Sequence, residues 1–424
     1  MRRLYQLAVS KTARNTYLVF LGNSISAFFA FILTVILVRG MSKSDFGYYS
    51  AVFSFALLLS DVSDIGIGSS LSRFLPPLKA DSNKTNRFLK TALIYQSGIV
   101  LILAIFVVVF SKFLAVNFFH DPSLGGTVAA VAIALVGMTF SSFFSYAFSA
   151  KEKFYGSAII SAVSSISRVI LIVPFVLLAT LTIGGALWIQ IISFILTSII
   201  GLVLINPGFL LAAFDLKNLK SLIRFSSFLG IARSFTAISS RLDTLMLIAM
   251  TNSIETAVYA TASRIISIYP LLSGSFSAVL APRFATIRSE NELNTFLKKV
   301  ILGTAGIILT IIILIIVAYP FMMILFGEKT RDSVPVLQLL LVAMIFFVAS
   351  VPPVSLAIYY LKKPHILSIN SVIQLIIVIA GNLYFIPKFG RFGPIYSLML
   401  AYGITLVFTT YLSIYYLKKH HEHS

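Results

Sequence analysis

Seven charged side chains fall inside long apolar stretches of this sequence: Asp61, Asp64, Arg168, Arg233, Arg241, Asp243 and Arg264. A charge in hydrocarbon costs on the order of 3 kcal/mol on insertion scales, so such residues normally face a polar lumen or a partner. An arginine cannot shed its proton, and its planar fork matches phosphate oxygens in bidentate geometry. Arg168, Arg233, Arg241 and Arg264 are therefore candidates for lining an anion path. Asp61, Asp64 and Asp243 are candidates for proton or cation coupling, or for neutralising an arginine. The ion-pair alternative sets Asp61 or Asp64 against Arg168, and Asp243 against Arg264. Four arginines and three aspartates sum to +1, a slight anionic preference.

The neighbours of these charges fall on helical faces. At 100° per residue, Ser50, Ser54, Asp61, Asp64 and Gly68 share one arc. Ser157, Ser161, Ser164, Ser165 and Arg168 form a second stripe, and Ser226, Gly230, Arg233, Ser240, Arg241 and Thr244 a third. A polar stripe on an apolar helix fits a water-filled cavity. It also fits close packing between helices, because small residues let backbones approach. Asn370, Gln374 and Asn382 form a further polar face suited to hydrogen bonds between helices. Trp188, the single tryptophan, reads as an interfacial anchor, and Pro174, Pro270, Pro282, Pro352 and Pro353 as kinks in or near spans. His420, His421 and His423 lie in a polar tail. No P-loop, GxSxG or HExxH motif occurs, so no catalytic residue, metal site or cofactor is expected and the chain does not read as an enzyme.

The elements that must position these residues follow from composition. The chain has 424 residues, 58% hydrophobic and only 11% charged, with a mean hydropathy of +0.98. Too few charges remain to cover a globular surface, which excludes a soluble enzyme and a disordered chain. The absence of cysteine excludes a disulfide scaffold and a thiolate site. A bilayer core about 30 Å thick needs roughly 20 apolar residues per helix. Twelve segments meet that length, near 15–38, 46–72, 88–110, 126–150, 155–180, 184–206, 221–250, 256–282, 295–318, 334–358, 364–386 and 392–417. The first reads as a retained helix rather than a cleaved leader, because further spans follow it directly. Strict two-residue alternation is absent, against a β-barrel. The fold class expected is all-α integral membrane.

With the N-terminus inside, 22 Lys and Arg fall in inside segments and seven in outside loops. Both termini are thus expected in the cytoplasm, with the chain multi-pass in the cell membrane. The net charge of +19 then reflects basic cytoplasmic loops near anionic lipid heads rather than nucleic-acid binding.

A shift of 210 residues aligns Leu37–Tyr49 with Leu247–Tyr259, matching Leu37 with Leu247, Asp45 with Glu255, Gly47 with Ala257 and Tyr49 with Tyr259. Both stretches lie between the first two helices of a six-helix half. This predicts two lobes, 1–210 and 211–424, around a central cavity and related by an axis along the membrane normal.

Several of these residues also resemble a family. Asn15 and Asn23 stand in the first span, followed by Leu37-Val38-Arg39-Gly40-Met41 and Asp45-Phe46-Gly47-Tyr48-Tyr49. Asp64-Ile65-Gly66-Ile67-Gly68, Arg73-Phe74, Arg241-Leu242-Asp243-Thr244, Ala257-Val258-Tyr259-Ala260 and Leu280-Ala281-Pro282-Arg283-Phe284 complete the pattern. The chain is similar to the polysaccharide-transport branch of the multidrug/oligosaccharidyl-lipid/polysaccharide (MOP) exporter superfamily, most of all to the O-antigen flippases. The resemblance implies translocation of a polyprenyl-diphosphate-linked oligosaccharide from the cytoplasmic to the outer leaflet. It also implies a glycan polymerase and glycosyltransferases as partners in the pathway. Lipid II flippases of the superfamily usually have fourteen helices, against twelve here. Drug-exporting relatives often carry an acid in the first span, and none lies between Thr16 and Val38. The alternatives are a cation-coupled small-molecule exporter and a membrane-embedded transferase or polymerase; the short loops disfavour the latter.

Overall fold

The computed structural model describes the backbone of residues 11–287, 289–363 and 365–421. It describes their side chains except at 11–20, 227–229, 231–233, 236, 285, 365, 367, 368 and 418–421. Among the described residues every regular element is a helix. In hydrocarbon each backbone N–H and C=O must be satisfied within its own segment, and a helix does this for an apolar run of any sequence. Ten stretches among the described residues are long and apolar enough to cross a membrane. The last, Ile369–Leu417, contains two helices, and the helix Leu216–Met250 lies outside the ten. Together they account for the twelve expected segments.

The chain forms two compact units, 1–238 and 239–424. The first holds α1 (Lys11–Gly40), α2 (Lys43–Asp64), α3 (Ile67–Phe74), α4 (Ser82–Asn117), α5 (Gly125–Ala150), α6 (Phe154–Leu177) and α7 (Ile183–Ile205). The division falls inside α8 (Leu216–Met250). Residues 211–238, which the repeat assigns to the second half, belong to the first unit for visible reasons. Leu222 is buried in its core with Phe88, Leu89, Phe148 and Phe209. The Arg87 guanidinium also lies 3.3 Å from the Asp215 carboxylate.

In the first unit α5 packs against α2, α3, α4, α6 and α7. Its small residues permit this: a Cβ on Gly137 would lie 3.1 Å from the Phe194 Cβ and 3.2 Å from the Ile195 nitrogen on α7. Hydroxyls then join the helices in pairs. Ser63 meets Thr139 at 2.8 Å, Ser141 meets Thr197 at 3.0 Å, Ser145 meets Ser157 at 2.7 Å, and Ser167 meets Ser193 at 2.8 Å. Ser26 on α1 meets Ser165 on α6 at 2.6 Å. Bonds of this kind contribute about 0.6 kcal/mol each between membrane helices. In the serine stripe of α6, the Ser157 and Ser165 hydroxyls are therefore engaged with neighbouring helices. The break between the segments near 155–180 and 184–206 is present: α6 ends at Leu177, Ala179 takes a positive φ of 52°, and the Thr182 hydroxyl accepts from Gly185 N to begin α7.

The second unit holds α9 (Ser253–Ile266), α10 (Ile268–Thr286), α11 (Glu290–Ile316), α12 (Ala318–Phe326), α13 (Ser333–Ala349) and α14 (Val351–Ser355). A π-helical turn at Leu356–Tyr360 follows, then α15 (His365–Phe389) and α16 (Gly393–His421). The stretch after the segment near 295–318 thus begins with a further helix, α12. Pro352 and Pro353 sit in α14, where the missing N–H groups end α13 and force a local rearrangement. Pro174 and Pro282 lie within α6 and α10, and Pro270 in the first turn of α10.

The two aligned stretches fold alike. In the first, Ser42 caps α2 by accepting from Asp45 N at 3.0 Å; in the second, Asn252 caps α9 by accepting from Glu255 N at 2.9 Å. Each cap meets an orphan donor of the first turn, and the acid in that turn suits the helix dipole. The second span is broken in both halves, at Ile65–Gly66 between α2 and α3 and at Ser267 between α9 and α10.

A β-branched residue at Gly137 must push α5 from α7. Gly137→Val is expected to cost about 1–3 kcal/mol and to lower the apparent unfolding temperature of the purified protein. Gly98, whose Cβ would meet nothing within 4 Å, tolerates alanine in the same assay.

Candidate functional site

The charged residues singled out above are divided between the units. In the first, Arg168 is half-buried on α6. Its Nε donates to the Ser164 carbonyl at 2.7 Å and Nη2 to the Ser164 hydroxyl at 2.9 Å. Nη1 reaches Gln190 Oε1 at 3.3 Å, and the guanidinium carbon lies 5.1 Å from the Phe194 ring centre. Gln190 Nε2 in turn donates to the Tyr49 hydroxyl at 2.8 Å, linking α6, α7 and α2. Tyr49 is itself held by stacking on Phe53, with ring centres 5.7 Å apart. These contacts fix the direction of the guanidinium by several neutral groups.

Asp61 and Asp64 stand one helical turn apart but have different surroundings. Asp61 is exposed, whereas Asp64 is buried. The chain turns at Ile65 and Gly66 with φ of 35° and 74°, and Asp64 Oδ1 accepts from Gly68 N at 3.1 Å where α3 begins. Asp64 thus satisfies a donor that the break in the second span leaves open. Farther along this face Ser50 is buried, and among the described residues its hydroxyl has no hydrogen-bond partner. Gly230 on α8 packs against Ile65, so glycine there accommodates the break.

In the second unit Asp243 on α8 is the centre of a polar cluster. Its Oδ2 accepts from the Tyr259 hydroxyl at 2.9 Å and its Oδ1 from Asn382 Nδ2 at 3.1 Å. Both donors are neutral. From α9 it is Tyr259 that meets this carboxylate, at the acid for which the sequence weighed an ion pair with Arg264. Arg241 and Arg264 are half-buried in this unit. The α15 polar face does join helices, since Gln374 Nε2 donates to Thr405 Oγ1 at 2.7 Å and Asn382 binds Asp243. Glu255, the counterpart of Asp45, accepts from Arg391 N at 2.9 Å and so holds the turn between α15 and α16. Gly390 in that turn has φ of 53°, and a Cβ there would lie 2.9 Å from Glu255 Oε2.

The Arg233 side chain and those of His420, His421 and His423 lie outside the described residues. Trp188 is exposed on α7. Among the described residues no three His, Cys, Asp or Glu side chains gather in a metal-holding group. Gln190 and the pairing of Tyr259 with Asp243 were missed from the sequence. The signal was present in the repeat, where Tyr49 and Tyr259 correspond and each anchors a buried polar group.

Residues 12–288 match the family model described as polysaccharide biosynthesis protein. No curated protein matches the chain in sequence. Among solved structures, the lipid II flippase MurJ in an inward closed conformation superposes with a TM-score of 0.76 at 16% identity, covering 93% of this chain and 87% of that one. An inward-facing multidrug resistance MATE family transporter of the MOP superfamily gives 0.68 at 15% identity, covering 94% and 99%. A MOP superfamily transporter from Pyrococcus furiosus gives 0.61 at 14% identity, covering 95% of each chain. These likenesses show the fold, and with the match over more than half of the sequence they bear out the resemblance drawn from the motifs. The chain belongs to the polysaccharide biosynthesis protein family and is a multi-pass membrane protein with the fold of the MOP superfamily.

Proposed function

We propose that the protein is a flippase that carries a polyprenyl-diphosphate-linked oligosaccharide from the cytoplasmic to the outer leaflet by alternating access. The observation that carries the reading is the placement of half-buried arginines on apolar helices in both units: Arg168 in the first, Arg241 and Arg264 in the second. A diphosphate has the charge and oxygen geometry that a guanidinium fork recognises. Membership of a polysaccharide biosynthesis family supports a glycan as the rest of the head group. Arg233 joins the set on sequence grounds. The equivalent capped turns in the two aligned stretches support alternating access built on an internal repeat. The charge count supports cytoplasmic termini.

Asp243 is the acid best suited to coupling. Its hydrogen bonds come from neutral groups, so a proton or cation can come and go without breaking an ion pair. That feature also favours a second reading, a cation-coupled exporter of small molecules.

Three outcomes test these readings. In cells lacking their own glycan flippase, Arg264→Ala and Arg241→Ala should abolish glycan export at normal protein level, while the lysine variants retain part of it. Normal export by an abundant Arg264→Ala protein removes that residue from the path, and drug resistance without glycan export favours the exporter. Asp243→Asn should keep the fold, because one oxygen acceptor remains, yet stop transport. Asp243→Ala should also destabilise by about 1–3 kcal/mol, through stranding Tyr259 or Asn382. Unchanged transport by Asp243→Asn would exclude coupling through this acid. For topology, single cysteines at Lys84 and Lys299 should resist an impermeant thiol reagent in intact cells while those at Lys43 and Lys388 react; the reverse pattern would invert the orientation.

A further inference from the structure

The short helix α3 carries a feature outside the intramembrane arginine set. One face of it is buried through Ile67, Ser70 and Leu71. Ser69, Ser72 and Arg73, spaced i, i+3 and i+4, share the other face and line a cleft of about 400 Å³ together with Gly68 and Tyr146. The cleft exists because residue 68 is glycine: a Cβ there would lie 2.9 Å from the Tyr146 ring. Its volume is that of a small-ligand pocket.

Arg73 is held in an unusual way. Its guanidinium carbon lies over the Phe225 ring, 4.4 Å from the ring centre, and 5.6 Å from that of Phe74. Nearby cations of the same chain segment have acids: Lys79 meets Glu152 at 2.8 Å, Lys84 meets Asp81 at 3.2 Å, and Arg87 meets Asp215 at 3.3 Å. Among the described residues no carboxylate or other acceptor meets Arg73. Aromatic faces fix its position while leaving the bidentate N–H fork without an oxygen partner. The Ser69 hydroxyl makes no hydrogen bond among the described residues, whereas Ser72 donates to the Gly68 carbonyl. The cleft thus offers an anchored guanidinium and a hydroxyl donor to one oxyanion. It lies at the end of the apolar stretch Lys43–Phe74, followed at once by Pro76, Pro77 and Lys79, which sets it at the membrane surface. Phe74 and Phe225 beside it present apolar surface to an acyl or prenyl chain.

We propose that this cleft binds the phosphate head of a membrane lipid, with Arg73 as the bidentate anchor and Ser69 as a supporting donor. The inference stands apart from the flippase reading, because a phosphate-headed lipid can be bound here whether or not it is transported. The source is either a polyprenyl diphosphate or an anionic phospholipid of the bilayer.

The full chain in uncharged maltoside micelles is titrated with farnesyl diphosphate, dioleoyl phosphatidylglycerol and inorganic pyrophosphate, and binding is read by thermophoresis. Farnesyl diphosphate or the phospholipid should bind, with Arg73→Ala weakening it at least tenfold and Arg73→Lys by less. Preference for farnesyl diphosphate identifies the polyprenyl source, and equal binding of phosphatidylglycerol the bilayer source. Pyrophosphate binding as tightly as either lipid overturns the lipid assignment. Ser72→Phe fills the cleft from an exposed position and keeps Arg73, so it should abolish binding without altering the unfolding temperature. Wild-type affinity in Ser72→Phe, or in a normally folded Arg73→Ala protein, overturns the proposal. The same variants leave export through the intramembrane arginines as a separate readout.

Discussion

Water is absent from the hydrocarbon core, and nearly every feature of this chain answers to that. Each backbone group must be bonded within its own helix, so the regular elements described are helices. Where the backbone breaks inside a span or turns between two, something local must meet the freed groups. At Ile65–Gly66, within the second span, it is the Asp64 carboxylate, and between α6 and α7 the Thr182 hydroxyl. The same constraint removes the hydrophobic drive between helices, so packing rests on close approach and hydroxyl pairs. Gly137 against Phe194, and the pairs Ser63–Thr139, Ser141–Thr197 and Ser167–Ser193, supply both in the first unit.

The constraint also gives meaning to the charges that remain. A guanidinium at membrane depth persists only where neighbours orient it or a ligand neutralises it. Arg168 is oriented by Ser164 and Gln190, and Gln190 by Tyr49. Asp243 has a comparable setting in the second unit, with Tyr259 and Asn382 as donors. The two tyrosines occupy matched positions of the repeat, yet one accepts a hydrogen bond while the other donates. The halves share a scaffold and differ in the polar group each tyrosine serves.

Much of this was legible from residue order alone, and the rest was not for identifiable reasons. Span count follows from hydropathy, which depends only on local composition. The turns that Ser42 and Asn252 cap were visible as a repeat through Asp45 and Glu255, which stand three residues after each cap. The break after Asp64 was hidden: one non-glycine and one glycine residue in left-handed conformation leave no periodic trace. The α6 serine stripe supported both a lumen and helix packing, and only the neighbours Ser26, Ser145 and Ser193 show how far packing accounts for it. The partner of Asp243 could not be read from charge, since a neutral tyrosine and asparagine answer the same need as an arginine.

Under the proposed function the chain itself moves a diphosphate-linked glycan lipid across a bilayer. Its most direct measurement uses liposomes of defined lipid containing the purified protein and a polyprenyl-diphosphate oligosaccharide, with an impermeant glycosidase added outside. Without translocation about half of the glycan stays protected in the inner leaflet. Protein-containing liposomes should lose this protected fraction while remaining sealed to a soluble dye. A protected fraction as stable as in protein-free liposomes, under imposed proton and sodium gradients alike, would contradict it.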